Sequence, residues 1–132
     1  MCAGCRREGT FYWPTVLTDV SAHARLMTEE VFGPVVSVHA FDTVDETVTR
    51  TNATPYGLQA GLFTRDLDQA VTVAERLRVG AVMVNDSSDF RIDAMPFGSP
   101  KRSGVGREGI RSAVQAMTEP KDIDIRRSVP PG

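Results

Sequence analysis

The sequence predicts an α/β fold built on parallel strands, and two observations lead to this prediction. Between residues 35 and 85, short apolar segments alternate with amphipathic segments in the order strand, helix, strand, helix, strand. This order is typical of parallel strands joined by right-handed crossovers. The chain also has 132 residues, of which 41% are hydrophobic and 24% charged, which is enough apolar material for one domain with a buried core.

The first strand and helix are predicted from local signals. Residues 35–41 are rich in β-branched and aromatic side chains and follow a Gly-Pro chain breaker, which favours a strand. Thr43 is a predicted N-cap, and Glu46 lies three residues later in a capping-box pattern. We therefore expect a short helix that ends near Asn52, followed by a turn at residues 54–57.

A second strand, a second helix and a third strand follow in the same order. Residues 59–64 are the second predicted strand, Asp66 is the predicted N-cap of the helix, and Gly80 is placed to end it. Residues 81–85 are apolar almost throughout, as expected of a buried parallel strand. The apolar residues of the helix recur on one face, which we expect to pack on the sheet: Leu67, Ala70, Val71, Ala74 and Leu77.

The C-terminal third is less regular. Residues 86–107 form a long irregular segment rich in glycine and proline, and such a segment within a domain is usually functional. A helix is predicted over residues 108–117, with Ile110, Ala113, Val114 and Met117 on one face. Residues 122–126 alternate strictly between polar and apolar, which predicts a half-buried strand. The last five residues, 128–132, are expected to be a disordered tail.

The two cysteines, Cys2 and Cys5, form a C-x-x-C pair at the start of the chain. Such a pair can bind zinc or cycle as a dithiol, but zinc needs further ligands and neither His23 nor His39 has ligand-like spacing to it. We therefore favour two exposed thiols in a loosely ordered terminus, and we expect no metal site.

Composition argues against several classes of partner. The net charge of −2 gives no broad electrostatic case for binding nucleic acid or an anionic membrane. No apolar run approaches the roughly 18 residues that a membrane-spanning helix needs. The N-terminus lacks the apolar centre of a signal peptide, so we expect a cytoplasmic location.

The segment of residues 29–34, with the sequence Glu-Glu-Val-Phe-Gly-Pro, combines a carboxylate with an aromatic ring two positions later, just before a rigid turn. A carboxylate accepts hydrogen bonds from ribose hydroxyls, and a phenyl ring packs on a flat nicotinamide. Taken alone, the same pattern also describes a solvated acidic turn followed by a core phenylalanine.

The second motif covers residues 96–109, in which glycines permit close backbone approach. Its charged residues can face an anion or a partner subunit. It lacks the spacing of a phosphate-binding P-loop, and taken alone it indicates only a flexible loop.

The two motifs together resemble those of the NAD(P)-dependent aldehyde dehydrogenase superfamily. Their order and separation match, as do residues 56–58, the Val84-Asn85 pair and the Gly-Thr-Phe-Tyr-Trp-Pro-Thr-Val-Leu run at 9–17. The resemblance extends from about Gly9 to Arg126. It implies a three-layer αβα, parallel-sheet fragment of the family fold, with residues 1–117 as the C-terminal part of the catalytic domain and residues 118–127 as an oligomerisation strand.

The resemblance assigns expected roles around the cofactor and the substrate. Glu30, two residues before Phe32, is expected to bind the nicotinamide ribose of NAD or NADP, and Phe32 to contact the nicotinamide. Phe97 is expected to line the aldehyde tunnel, and Asn85 to shape the pocket next to it. Structural packing near the pocket is an equally open interpretation of Phe97 and Asn85.

The resemblance also implies a subunit interface. Isoleucines on one face of a lone edge strand need a covering partner, which agrees with pairing to another subunit or to the missing N-terminal part of the enzyme. Ordinary surface salt bridges remain an open alternative for the charged positions. The expected interface residues are Arg107, Glu119, Lys121, Ile123 and Ile125.

The chain departs from the family in two respects. Ser99 and Pro100 stand where the family commonly has glycine and a variable residue, which predicts an altered loop. The motif of the nucleophilic cysteine, which attacks the aldehyde in this family, is missing, as are the general-base glutamate and the main dinucleotide-binding domain. We assign the nucleophile to neither Cys2 nor Cys5, so no catalytic residue is predicted.

The predicted function is therefore that of a C-terminal fragment of an NAD(P)-dependent aldehyde dehydrogenase, inactive alone and binding no cofactor tightly alone. The alternative is a non-catalytic interaction module that pairs with a dehydrogenase subunit or with itself. The loop at residues 86–93 is similar to that of dehydrogenases for small polar or anionic aldehydes. Its Arg91 can pair with an anionic substrate tail, although a salt bridge to Asp89 or Asp93 is favoured.

Overall fold

The computed structural model describes residues 1–98 and 100–126, in which short strands alternate with helices. The strands of this part are β1 (Cys2–Ala3), β2 (Arg7–Glu8), β3 (Phe11–Tyr12), β4 (Thr15–Thr18), β5 (Val35–Val38), β6 (Gln59–Leu62), β7 (Ala81–Val84), β8 (Phe97–Gly98) and β9 (Arg107–Glu108). The α-helices are α1 (Val44–Ala53), α2 (Leu67–Arg76) and α3 (Ile110–Met117), and a 3-10 turn covers Arg25–Met27.

Parallel strands occur in two separate sheets. β4 pairs in parallel with β5 and antiparallel with β1, whereas β6 pairs in parallel with β7 across α2. Two small antiparallel pairs, β2–β3 and β8–β9, complete the described strands. The prediction of an α/β fold with parallel strands is confirmed. The three strands predicted between residues 35 and 85 are divided between two sheets, because β5 and β6 are not paired with each other.

Both predicted helix caps are present. The Thr43 hydroxyl accepts a hydrogen bond from the Glu46 backbone N–H at 3.2 Å, and the Glu46 carboxylate accepts one from the Asp42 N–H at 3.0 Å. The Asp66 carboxylate accepts from the Gln69 N–H at 3.1 Å. These side chains satisfy backbone donors that the first helical turn leaves open, so α1 and α2 begin where the sequence predicts.

The buried face of α2 differs from the predicted one. Ala70 and Val73 are buried, with 2% and 6% of their surface exposed, whereas Leu67 and Val71 are exposed. Adjacent strands lie about 5 Å apart, so a two-stranded sheet covers only a narrow stripe of the helix. The buried stripe therefore includes Val73, which the prediction left out, and excludes two residues that it included.

The C-terminal elements are largely uncovered. α3 begins at Ile110, two residues later than predicted, and the apolar face containing Ile110, Val114 and Met117 is exposed. Residues 118–126 contain neither helix nor strand, so the predicted half-buried strand at 122–126 is absent from the chain on its own. Its pairing with a second subunit stays a prediction. Residues 127–132 and Ser99, on which the tail and loop predictions fall, lie outside the described residues.

The N-terminus is tied to the first sheet, and the prediction of a loose terminus with two exposed thiols is wrong. The Met1 amino group donates to the Thr18 carbonyl at 3.1 Å, and the Cys5 N–H donates to the hydroxyl of buried Thr15 at 3.0 Å. Cys2 and Cys5 are joined as a disulfide. Strand β1 forms because it can extend the edge of β4, a pairing that residue spacing alone does not reveal.

Two further findings concern the described residues only. None of their helices combines the length and the apolar character needed to cross a membrane. Among these residues, no group of three or more histidine, cysteine, aspartate or glutamate side chains is placed to hold a metal ion.

Candidate functional site

The two neighbouring carboxylates of the acidic segment, residues 29–34, have different environments. Glu29 accepts from the Arg25 side chain through both carboxylate oxygens, with N–O distances of 2.7 to 3.0 Å. This hydrogen bonding lowers the pKa of Glu29 and raises the pKa of Arg25. The carboxylate of Glu30 has no hydrogen bond or ion pair within the described residues. Of the two carboxylates, Glu30 is therefore the one without a partner among the described residues. Its expected role toward the nicotinamide ribose stays a prediction.

Phe32 projects from the same segment. Its side chain is 93% exposed, so the interpretation of this residue as a core phenylalanine is wrong. The segment is anchored after Phe32, where the Thr15 N–H donates to the Pro34 carbonyl at 2.8 Å. An exposed ring beside an unpaired carboxylate can pack on a planar heterocycle while the carboxylate accepts hydrogen bonds from an attached sugar.

Tyr56 reaches the acidic segment from the turn after α1. Its hydroxyl accepts a hydrogen bond from the Glu30 backbone N–H at 3.2 Å, across 26 residues of sequence. Sequence reasoning used Tyr56 only as part of a family motif and assigned it no contact. No local signal connects positions so far apart, so the residue was found only through the structure.

The glycine-rich segment, residues 96–109, is docked on that same turn. The Lys101 ammonium donates to the carbonyls of Asn52 and Thr54 at 3.2 and 3.1 Å, and the Arg102 N–H donates to the Pro55 carbonyl at 3.0 Å. The hydroxyl of Ser103 accepts from the Gly57 N–H at 3.0 Å. These contacts show that the segment is held in place by the rest of the fold over residues 101–103.

Gly57 permits this close docking. A Cβ atom at this position would lie 2.7 Å from the Arg78 carbonyl oxygen and 3.2 Å from the Lys101 side chain. Both distances are shorter than ordinary van der Waals contact, so a larger residue would push the turn away from the loop. Close packing therefore explains why a glycine stands in the Tyr-Gly-Leu motif.

Phe97 lies in a cluster with two charged residues, Arg91 and Glu108. The Arg91 guanidinium lies over the Phe97 ring, 4.2 Å from its centre, and pairs with the Glu108 carboxylate at 2.9 Å. Phe97 and Glu108 are themselves partners across β8 and β9. The predicted salt bridge from Arg91 to Asp89 or Asp93 is wrong, because Asp89 accepts from Ser87 and Arg91 turns to Glu108.

Asn85 ends strand β7 with a left-handed backbone, at φ +58°. Its side-chain oxygen accepts from the Thr64 N–H at 2.9 Å, and its own N–H donates to the Leu62 carbonyl at 2.7 Å. Asn85 therefore fixes the carboxyl ends of both parallel strands. An open cleft of about 600 Å³ lies there, lined by Phe63, Thr64, Arg65, Asp66, Leu67, Ala70, Val84 and Asn85.

The predicted interface residues are all exposed. Within the described residues, no salt bridge involves Arg107, Glu119 or Lys121, so the alternative of surface salt bridges is not observed for them. Ile123 and Ile125 are 75% and 80% exposed. Their expected role toward a second subunit stays a prediction.

Comparison with known proteins gives consistent results. The model of the aldehyde dehydrogenase family matches residues 1–123. A putative aldehyde-dehydrogenase-like protein, y4uC, from Sinorhizobium fredii is 50% identical over 127 residues, which are 96% of this chain and 25% of that protein. The 3-sulfolactaldehyde dehydrogenase of Priestia megaterium is 46% identical over 120 residues, 91% of this chain and 25% of that enzyme.

A solved structure agrees with the fold. Aldehyde dehydrogenase 21 from Physcomitrella patens, determined with its reaction product succinate, superposes with a TM-score of 0.81 at 44% identity. The match covers 86% of this chain and 24% of that one. The chain thus spans about a quarter of the length of the proteins it matches. Other similar structures have been determined with NADP and with NAD+ bound.

Proposed function

Because the chain belongs to the aldehyde dehydrogenase family, we propose that it forms the C-terminal quarter of an NAD(P)-dependent enzyme that oxidises an aldehyde to a carboxylic acid. The observation that carries this proposal is the exposed pair formed by Glu30 and Phe32, on a segment held by Thr15 and Tyr56. In the proposed enzyme the two small parallel sheets belong to a larger three-layer αβα arrangement.

The residues of the acidic segment fit the cofactor of this family. Glu30 would accept hydrogen bonds from the nicotinamide ribose, and Phe32 would pack beside the nicotinamide ring. The cofactor, when bound, accepts hydride from the substrate. The chain's own contribution is to hold the ribose and exclude water on one side, since orientation lowers the barrier of such a transfer. The acidic segment would form only one side of the cofactor site. We therefore do not propose that this chain alone binds NAD(P) tightly.

Catalysis by the chain alone is not expected. The reaction needs a thiolate to attack the aldehyde carbon, and neither Cys2 nor Cys5 lies in the motif of the family's nucleophilic cysteine. The nucleophile and the general base are therefore proposed to come from the other three quarters of the enzyme.

A hybrid enzyme tests the proposal. In it, the complete 132-residue chain replaces the matching quarter of the Priestia megaterium 3-sulfolactaldehyde dehydrogenase. We expect the purified chain to produce no NAD(P)H from NAD(P)+ and an aldehyde, and the hybrid to produce it at a rate within about ten-fold of the parent enzyme, a loss of roughly 1.4 kcal/mol in transition-state stabilisation. Turnover by the chain alone, or a folded but inactive hybrid, would contradict the proposal.

The alternative, a non-catalytic interaction module, is favoured by one observation. The apolar face of α3 and the terminal isoleucines are uncovered. If the chain is such a module, it will form a stable dimer or co-purify with a complete dehydrogenase subunit without raising activity. Light scattering of the purified chain, with an activity assay of the mixture, separates the two functions.

We also propose that the substrate aldehyde carries an anionic tail. The similar proteins named above include a dehydrogenase of a sulfonated aldehyde and one solved with a dicarboxylate product. Arg91 supports the same class here, because it lies over the tunnel-lining candidate Phe97 and its pair with Glu108 engages one terminal nitrogen. The remaining N–H groups of its guanidinium are donors suited to a carboxylate or sulfonate.

Replacing Arg91 in the hybrid tests this substrate class. Arg91→Gln should lower kcat/KM for sulfolactaldehyde by about ten-fold or more, the value of a hydrogen bond to a charged group. Turnover of a neutral aldehyde of similar size should change by less than about two-fold, as should both activities in an Arg111→Gln control on exposed α3. Equal losses for both aldehydes would contradict an anion-binding role.

A further inference from the structure

Tyr56 makes the hydrogen bond that connects the middle of the acidic segment to another part of the fold. The Glu29 N–H donates to the nearby Arg25 carbonyl, and the Gly33 N–H to the Val31 carbonyl, so both contacts are local. The Glu30 N–H instead donates to the Tyr56 hydroxyl. Within the described residues, the next long-range anchor is at Pro34, after the exposed ring of Phe32.

An exposed segment needs such an anchor if its side chains are to act on a ligand. Glu30 and Phe32 are both exposed, so side-chain packing does little to fix their positions. Each backbone residue that must be ordered when a ligand binds costs conformational entropy. A hydrogen bond that already exists in the free protein orders part of the segment before a ligand binds.

The turn that carries Tyr56 is itself held from the opposite side. We call residues 54–57 the linking turn. The Thr54 carbonyl accepts from Lys101, the Pro55 carbonyl from the Arg102 N–H, and the Gly57 N–H donates to the Ser103 hydroxyl. All four residues of the linking turn therefore contact either the acidic segment or residues 101–103.

We infer that Tyr56 is a positioning residue for Glu30, and that the linking turn sets the spacing between the cofactor-contacting segment and the loop that follows Phe97. This inference rests on the proposed function for the roles of Glu30 and Phe97. It adds a residue that touches neither cofactor nor substrate and acts through the backbone of one that does. The distance from the ribose-binding carboxylate to the substrate tunnel is then fixed by hydrogen bonds within this chain.

The substitution Tyr56→Phe removes the hydroxyl and keeps the half-buried ring, so it separates positioning from packing. The chain offers a matched control, because Tyr12 is the other tyrosine of the sequence. Tyr12 is 44% exposed, and its hydroxyl has no hydrogen bond within the described residues. Tyr12→Phe therefore makes the same chemical change without touching the linking turn.

Hydrogen exchange of the Glu30 backbone amide in the 132-residue chain measures the contact directly. Tyr56→Phe should accelerate this exchange by about three- to ten-fold, the range expected for the loss of one hydrogen bond. Tyr12→Phe should leave it unchanged. An unchanged exchange rate in Tyr56→Phe overturns the inference, and this measurement does not depend on whether the chain belongs to an active enzyme.

Steady-state kinetics of the hybrid enzyme measure the consequence. Tyr56→Phe should raise KM for NAD(P)+ by about three- to ten-fold, while KM for the aldehyde and the thermal unfolding midpoint stay near those of the unsubstituted hybrid. Ser103→Ala, which loosens the other side of the linking turn, should instead raise KM for the aldehyde. A purely structural Tyr56 would lower the unfolding midpoint without this division between the two KM values, and that result overturns the inference.

The two measurements keep the inference separate from the proposed function. If the unsubstituted hybrid folds but is inactive, the proposed function fails, and the exchange experiment still decides whether Tyr56 constrains Glu30. If the hybrid is active and Tyr56→Phe changes neither exchange nor KM for NAD(P)+, the inference fails and the proposed function stands.

Discussion

Helices α2 and α3 have similar amphipathic sequences but opposite surroundings. α2 buries Ala70 and Val73, and the side chain of Asp66 caps its first turn. α3 buries none of its residues, has no side-chain cap at its N-cap residue Gly109, and exposes Val114 and Met117. The difference shows that an apolar helical face needs a surface to cover it, and that its sequence does not reveal whether the same chain provides that surface. α2 finds its partner within the described residues, and α3 does not.

The largest expected effect tests whether the β6–β7 unit contains the core. Met83 is 7% exposed on β7, and Met117 is 85% exposed on α3. Met83→Ala should reduce the free energy of unfolding by about 2–5 kcal/mol because it removes a buried side chain and leaves a cavity. Met117→Ala should change it by less than about 0.5 kcal/mol. Urea denaturation of both variants measures the two free energies of unfolding. Equal decreases in the two variants would show that Met83 does not belong to a core that excludes Met117.

The same comparison can be made between the helices with one residue type. Val73 on α2 is 6% exposed and Val114 on α3 is 56% exposed. Val73→Ala should cost about 1.5–3 kcal/mol, at about 0.8 kcal/mol per buried methylene plus a cavity contribution. Val114→Ala should be close to neutral in the monomer. If Val114→Ala instead destabilises the chain as much, α3 has a covering partner in solution, and light scattering should then show an oligomer.

A smaller effect is expected from the helix caps. Thr43→Ala removes the acceptor of the Glu46 N–H at the start of α1, which should cost about 1 kcal/mol. Thr49→Ala, on the exposed surface of the same helix, is the control, because the Thr49 hydroxyl donates only to the Asp45 carbonyl within the helix, a bond that adds little to helix stability. Thermal unfolding followed by circular dichroism measures both. Equal midpoints for the two variants would show that the cap contributes nothing to stability.

The smallest effect concerns the two carboxylates of the acidic segment. The hydrogen bond from Arg25 lowers the pKa of Glu29, so its contribution to stability is present above the ordinary glutamate pKa and is lost as pH falls through the lowered value. Arg25→Gln should return the pKa of Glu29 toward the ordinary glutamate range. NMR titration of the carboxyl carbon measures this. Because both side chains of the pair are exposed to solvent, the unfolding midpoint at neutral pH should hardly move.

Local signals explain which parts of the fold the sequence could predict. Thr43 and Glu46 are three residues apart, as are Asp66 and Gln69, and contacts of this kind depend only on helical geometry. The choice of Glu30 over Glu29 came from family spacing. In the structure Arg25 pairs with Glu29, and within the described residues the Glu30 carboxylate has no partner, but the ribose-binding role of Glu30 stays a prediction.

The missed features all depend on contacts that are distant in sequence or on a partner. Tyr56 and Glu30 are 26 residues apart, and Arg91 and Glu108 are 17 apart, so neither contact follows from a periodic pattern. The predicted strand at residues 122–126 failed for a related reason. Its alternating pattern is typical of a strand that pairs with the edge of a sheet. Within the described residues, this segment pairs with no sheet.

The division of the parallel strands into two small sheets has a consequence for how the chain behaves in a cell. Each sheet ends in unpaired backbone donors and acceptors, and apolar surface such as Phe63 and Val36 lies nearby. Such edges are templates for pairing with any extended chain, including another copy in an unfolded state. Protection of the chain from such pairing therefore depends on how soon after synthesis these edges are covered.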